Sequence, residues 1–250
     1  MCFVSFHTVK TKLNFKKMDK VFPTVRTAER QFKTITAIAV MFVAVLLISN
    51  VASSKIVALG PFDFDGGTIL FPLSYIFGDI LTEVFGYKKA RNVIWLGFLM
   101  NVLMALTFMA VVALPPALEG SNHEAFKAVL GWTPRIVLAS MLAYLVGEFS
   151  NSVILAKIKV LMEGRFLFVR TIGSTIVGEA LDTLIFVVVA FYGLMPNEIL
   201  ISIIVSNYIF KVGVEILFTP FTYAIVDYLK KVEGVDLYDK HTSFNPFSTK

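Results

Sequence analysis

The run IGSTIVGEALDTLIFVVVAFYGLM, Ile172–Met195, decides how this chain is read. It is long enough to cross a bilayer, which takes about 20 mostly apolar residues, yet it carries Glu179 and Asp182. An ionised carboxyl at the bilayer centre costs about 2.5–3.5 kcal/mol on insertion scales. Two of them in one span therefore face a bundle interior or a polar cavity, not lipid. Their spacing of three puts both on one helical face.

Working outward, five more runs of suitable length appear. The first span is Thr34–Ser54, the second Ile69–Phe85, the third Val93–Leu114, the fourth Ile136–Ile158 and the sixth Ile199–Val226. Backbone groups in hydrocarbon must be satisfied within the segment, so these runs are read as helices. None alternates in the manner of a barrel strand. The predicted class is an all-α membrane protein, a six-helix bundle over residues 34–226. A basic segment, 1–33, precedes it and a tail, 227–250, follows.

Composition agrees. The 250 residues are 56% hydrophobic and 16% charged, against about 25% charged in soluble domains. That excludes an ordinary cytosolic enzyme, a disordered chain and a secreted disulfide scaffold. Cys2 is the single cysteine, and His7, His123 and His241 lie outside the apolar runs. Cys/His metal sites and His-based triads are thereby excluded, and no cofactor is expected.

The net charge of +5 is distributed for a membrane and not for nucleic acid. Eight basic residues precede the first span, from Lys10 to Lys33. Lys88, Lys89 and Arg91 follow the second span, Lys157, Lys159, Arg165 and Arg170 follow the fourth, and Lys230, Lys231, Lys240 and Lys250 follow the sixth. The opposite side has Lys55, Lys127 and Arg135. Lys/Arg excess marks the cytoplasmic face, so both termini are predicted to be cytoplasmic in a multi-pass inner-membrane protein. The first span starts too far in, and runs too long, for a signal peptide and reads as an uncleaved anchor; Met18 offers an alternative start. Glu124–Leu130 reads as a short interfacial helix.

Polar residues recur inside the spans. Asp79 and Glu83 are four apart in the second, Glu148 and Asn151 three apart in the fourth, and Asn207, Lys211 and Glu215 four apart in the sixth. Gly78-Asp79-x-x-Thr82-Glu83, Gly147-Glu148-x-x-Asn151-Ser152 and Gly178-Glu179-x-x-Asp182-Thr183 share one form, Gly–acid–x–x–polar–polar. Small residues let helices approach closely, and the Asn, Ser and Thr members serve equally well as interhelical glue, worth about 0.6 kcal/mol each. Six carboxylates against one lysine are too costly for glue alone. Gly66, Gly67 and Pro72 stand at the mouth of the second span, so Val57–Phe71 is read either as a re-entrant piece or as a plain outer loop. Tyr75, Phe77 and Tyr208 could stack on a flat ligand. Carboxylates only accept hydrogen bonds, so a planar heterocycle with adjacent N–H donors suits them.

Three stretches carry a resemblance: Ser49-Asn50-Val51-Ala52-Ser53-Ser54-Lys55, Phe71–Tyr87 with its core Gly78-Asp79-Ile80-Leu81-Thr82-Glu83, and Gly147–Ser152. Arg170–Thr175 leading into Gly178–Thr183, and Asn207-Tyr208 through Lys211, Glu215 and Pro220, extend it. Over Ser49–Tyr223 the chain resembles the queuosine precursor transporter family, in the vitamin uptake transporter group. The resemblance implies a six-helix importer of 7-deazaguanine bases (preQ0 and preQ1), salvaged to make the tRNA nucleoside queuosine. One such base carries a cationic aminomethyl group.

The expected site, for substrate binding or for coupling to a proton or other cation, comprises Asn50, Asp79, Glu83, Glu148, Asn151, Glu179, Asp182, Asn207, Lys211 and Glu215, with Lys211 paired to Glu215 or to an acid on a facing helix. The expected partners are a small heterocyclic substrate and the bilayer, without nucleic acid; a homodimer is left open. One rival is the substrate-binding subunit of an energy-coupling-factor vitamin importer. Ala37 and Ala39 are followed four residues on by Met41 and Val43, so the Ala-x-x-x-Ala docking pattern of such subunits is missing. The chain also lacks any Gly-Lys dipeptide and hence a P-loop. An intramembrane enzyme is the distant rival, since neither Asp79 nor Asp182 lies in a protease-type motif. A purely structural subunit leaves the carboxylates unexplained.

Overall fold

Gly86 sets the frame of the fold. At φ +78° it ends one helix and starts the next, a backbone region that L side chains rarely adopt. The short helix before it is buried on nearly every side, and the long helix after it returns along the bundle. The computed structural model describes residues 32–59, 62–117, 122–131, 134–194 and 196–248, and Thr34–Lys250 form one compact unit.

The helices are α1 (Ile35–Ala52), α2 (Phe71–Phe85), α3 (Tyr87–Ala113), α4 (His123–Leu130), α5 (Pro134–Leu161), α6 (Leu167–Phe191) and α7 (Asn197–Glu233). Among the described residues, five helical stretches are long and apolar enough to cross a membrane. They are α1, α3, the stretch His123–Leu161 that contains α5, α6 and α7. This is a multi-pass membrane protein. The expected second span, Ile69–Phe85, is represented by the 15-residue α2, which falls outside that group. Twelve of its residues are buried, packed among α1, α3, α5 and α7.

Two features depart from the sequence reading. Val57–Phe71, read as a re-entrant piece or a plain outer loop, carries regular structure of its own. Strands β1 (Ile56–Leu59) and β2 (Phe62–Asp65) pair antiparallel, with Ile56 opposite Asp65 and Leu59 opposite Phe62, and a 3₁₀ turn at Gly66–Ile69 leads into α2. Alternating Phe62 and Phe64 with Asp63 and Asp65 is strand patterning, so the all-α description needs this one exception. The helix of the sixth expected span, α7, also runs past Val226 to Glu233. Lys230 and Lys231 sit in its last turn, where cations favour the helix dipole, and Gly234 at φ +60° closes it, its amide bonded to the Lys230 carbonyl.

The tail then packs back instead of trailing away. Tyr87 N donates to Asp239 Oδ2 (2.9 Å), Arg91 Nη1 to the Asn245 carbonyl (3.0 Å) and Trp95 Nε1 to the Pro246 carbonyl (2.9 Å). The tightest helix pair is α5 with α6. A Cβ on Gly147 would lie 2.8 Å from Asp182 Cβ, and one on Gly178 the same distance from Asn151 Cβ. The recurrent glycines thus let the two acid-bearing helices touch backbone to backbone.

Candidate functional site

The close contact of α5 with α6 decides where their acids go. Glu148 and Asn151 are the residue after Gly147 and the one four on, and Glu179 and Asp182 are similarly placed after Gly178. The contact therefore turns both sets toward α2 and α7. Asp79 comes from α2, Glu148 and Asn151 from α5, Glu179 and Asp182 from α6, and Asn207, Lys211 and Glu215 from α7. All eight are buried, with exposures from 0 to 8%. Glu148 lies within electrostatic reach of Glu179, Asp182 and Glu215, and Asp79 within reach of Glu148 and Glu215.

Lys211 is the ammonium of this acidic centre. Its Nζ is 2.7 Å from Asp182 Oδ2 and 3.1 Å from Glu179 Oε2, so its partners are acids on the facing helix. It also stands 4.3 Å from the centroid of the Phe71 ring. Asn151 Nδ2 donates to Asp79 Oδ1 at 2.7 Å. Beyond these contacts the oxygens run short of donors. Both carboxylate oxygens of Glu148 and of Glu215, one of Asp79, and the side-chain carbonyls of Asn151 and Asn207 are buried without a hydrogen-bond partner among the described residues. Tyr75 Oη is in the same condition, and a Cβ on Gly147 would meet it at 2.5 Å. Buried acceptors in this number are costly unless something supplies donors. Among the described residues no group of His, Cys, Asp or Glu is arranged to hold a metal ion.

Glu83 keeps different company from its neighbour Asp79. Arg170 grips it in a two-pronged contact, Nε to Oε2 and Nη2 to Oε1, both 2.8 Å. Lys230 Nζ is 2.6 Å from Oε1 and Lys159 Nζ 3.3 Å. Lys159, itself buried, also donates to the Glu83 carbonyl (2.6 Å), to Asp236 Oδ1 (2.6 Å) and to the Leu237 carbonyl (2.7 Å). This cluster has three cations for two carboxylates, whereas the acidic centre has one cation for five. In the sequence Lys159 and Lys230 stand out only as orientation signals, Arg170 also as part of a family stretch, and Asp236 not at all. The identity of the first three as a conjunction of basic residues at one membrane face was the available hint.

Asn50 belongs to a third set. Its Nδ2 donates to Asn101 Oδ1 (2.7 Å), and Ser140 Oγ donates to Asn50 Oδ1 (3.3 Å), tying α1, α3 and α5 together. Among the aromatic candidates, Tyr75 alone lies wholly within the acidic centre. Tyr208 donates to the Ile176 carbonyl (3.2 Å) and is partly exposed, as is Phe77.

Every acid of the centre lies between residues 65 and 225, and that range matches the family described as "Putative vitamin uptake transporter". The chain belongs to this family. A "Probable queuosine precursor transporter" of Bacillus subtilis (strain 168) is 32% identical over 161 residues, 63% of this chain and 69% of that protein. A protein of the same name from Haemophilus influenzae is 26% identical over 146 residues, 55% of this chain and 58% of that protein. The "Queuosine precursor transporter" of Escherichia coli (strain K12) is 22% identical over 196 residues, 76% of this chain and 84% of that protein. The family is thus the queuosine precursor transporter group that the sequence motifs resemble. No solved structure matches the chain.

Proposed function

We propose that this protein imports queuosine precursors, 7-deazaguanine bases such as preQ0 and preQ1, across the inner membrane without a chemical step. One observation carries the reading. Asp79, Glu148, Glu179, Asp182 and Glu215 gather from four helices in one buried centre whose ammonium, Lys211, pairs with Asp182 and Glu179, and the oxygens of Glu148 and Glu215 have no donor among the described residues. A guanine-type edge presents adjacent N–H donors, which one carboxylate can accept in pairs. Tyr75 offers a flat face beside it. The names of the relatives from three bacteria support the same ligand class.

In this reading α2, as the second span, brings the five long helices to six spans, and both termini are cytoplasmic. Fifteen helical residues rise about 22 Å, short of a hydrocarbon core of about 30 Å. The sheath of α1, α3, α5 and α7 around α2 supports it, because a helix that meets protein and not lipid need not match the bilayer. The 3₁₀ turn and hairpin continue it toward the outer face. The ion cluster around Glu83 then lies at the cytoplasmic end and holds the helices shut there, while Asp79 and the acids beyond it bind.

The test is uptake of labelled preQ1 base in cells blocked in precursor synthesis, with and without the protein. Glu148→Gln and Asp182→Asn are expected to abolish uptake at normal membrane levels. Normal uptake by both variants would remove those residues from the site. Absence of uptake of any 7-deazaguanine base by the wild-type protein would overturn the function itself.

A further inference from the structure

Lys211 is held in an unusual seat. Its ammonium lies between the carboxylates of Asp182 and Glu179, 2.7 and 3.1 Å away, with the face of Phe71 4.3 Å from Nζ. Two acids and an aromatic face are the parts from which proteins build sites for ligand ammonium groups. Phe71 is in turn seated on Tyr75, with ring centroids 5.9 Å apart, so the ammonium seat adjoins the surface proposed to stack the heterocycle.

A second acid stands ready for the same lysine. Glu215 lies one turn along α7 from Lys211, at the i+4 spacing that brings two side chains onto one helical face. It is buried at 1% exposure, and neither of its oxygens has a hydrogen-bond partner among the described residues. Lys211 therefore has two anionic stations, one across the helix interface and one on its own helix, and in this structure it occupies the first.

Resting on the proposed transport of deazaguanine bases, we infer that the Phe71–Glu179–Asp182 seat is a subsite for the primary ammonium of a cationic substrate, and that Lys211 fills it until substrate displaces it to Glu215. The exchange swaps one ammonium for another among the same acids, so the charge of the seat is kept while Glu215 gains a counter-ion. A neutral base lacks the group that drives this exchange. The protein is therefore selective for an aminomethyl base over its cyano counterpart.

The experiment measures competition between preQ1 and preQ0 bases for uptake in cells, reading the ratio of their apparent affinities. Glu215→Gln removes the second station without touching the seat, leaving the displaced Lys211 ammonium buried and unpaired, so the ratio is expected to fall about tenfold or more toward the neutral base. Phe71→Leu keeps an apolar side chain of similar bulk and removes the π face from Lys211 and from the substrate ammonium alike, so it is the control in which the ratio is expected to hold. Membrane levels of both variants are measured alongside, and purified protein is titrated with each base in a thermal-shift assay, so that a variant with poor uptake still yields a ratio. A wild-type ratio near one, a ratio unchanged in Glu215→Gln, or one that falls as far in Phe71→Leu, would overturn the inference while leaving transport standing. A wild-type protein that takes up neither base would instead overturn the function.

Discussion

Glu83 and Arg170 are separated by 87 positions in the chain and meet face to face, guanidinium to carboxylate, through two contacts of 2.8 Å, with both side chains at most 2% exposed. The pair joins the last turn of α2 to the first turn of α6. The remaining arginine donors go to the Gly164 and Arg165 carbonyls (2.9 and 2.8 Å), so the same side chain also fixes the turn between α5 and α6. Lys159 and Lys230 bring α5 and α7 to the same carboxylate. One glutamate thus ties four helices at one end of the bundle.

Removing that charge leaves Arg170, Lys159 and Lys230 with Asp236 as the one carboxylate of the cluster, and of these cations Asp236 meets only the two lysines. Breaking a buried ion pair from one side costs about 3–5 kcal/mol, because the orphaned charge remains desolvated. Glu83→Gln is therefore expected to lower the unfolding temperature of the detergent-solubilised protein markedly. Glu83→Asp, which keeps the charge on a shorter stem, is expected to lose less. Equal unfolding temperatures for wild type and Glu83→Gln would show that the cluster holds nothing together.

Asp236, beyond the end of α7, gives the same cluster a pH dependence. Burial by itself would raise its carboxyl, but the hydrogen bonds from Lys159 and Lys230 outweigh this and hold it below its ordinary value of 3.8. A carboxyl depressed in the folded state contributes stability above its unfolded value, and that contribution disappears as pH falls through the folded value. Asp236→Asn is accordingly expected to unfold at a lower temperature than wild type at pH 7, with the gap closing below pH of about 3.8. A gap of constant size across that range would assign the effect to packing and not to charge. Because Asp236 is 41% exposed, solvent and salt screen the pair and the effect is modest.

The membrane helices and the convergence of their acids were legible because both rest on local signals. Length and apolar content mark a span, and the i, i+3 and i+4 spacings of Asp79, Glu148, Glu179, Asp182 and Lys211 mark a face. The glycine before each acid announced the close helix contact that aims it. What escaped was non-local. Asp79 and Glu83 share a helical face, and nothing in their spacing says that one meets Asn151 and the other Arg170. That division depends on where α6 begins, which Arg170 and the turn at Gly164 set. The tail after Glu233 has neither periodicity nor hydrophobic run. Its order comes from side chains reaching orphaned groups elsewhere, as Asp239 does for Tyr87. The β1–β2 hairpin was hidden because four-residue strands resemble any loop of mixed polarity.

Asp239 supplies what Gly86 lacks. The first amides of a helix have no partner within it, and a side-chain oxygen just before the helix usually accepts from them. At α3 that position is Gly86, so the acceptor arrives from the tail: Tyr87 N donates to Asp239 Oδ2 at 2.9 Å, and Thr242 Oγ1 steadies the other oxygen at 2.7 Å. Asp239→Ala is expected to cost about 1 kcal/mol, the usual loss for a helix cap, and to make the tail accessible to proteases. Limited proteolysis of both proteins reads this directly, and identical cleavage at the tail would refute it.

The contact between α5 and α6 gives the most discriminating substitution. A Cβ on Gly147 would come within 2.5 Å of Tyr75 Oη and 2.8 Å of Asp182 Cβ, and on the far side meets the Gly178 carbonyl at 3.2 Å. None of these atoms can retreat easily, since Tyr75 is wholly buried and the carbonyl is backbone. Gly147→Ala must push the two helices apart, at about 1–3 kcal/mol for an overpacked core, and it displaces Asp182 from Lys211. Gly213→Ala, on α7, is the control: a Cβ there meets nothing within 4 Å, and alanine is the better helix former by about 1 kcal/mol. Uptake and unfolding temperature are expected to fall together for Gly147→Ala, and the unfolding temperature to hold or rise for Gly213→Ala. Wild-type uptake by Gly147→Ala would mean that the acidic centre does not depend on the approach of these helices.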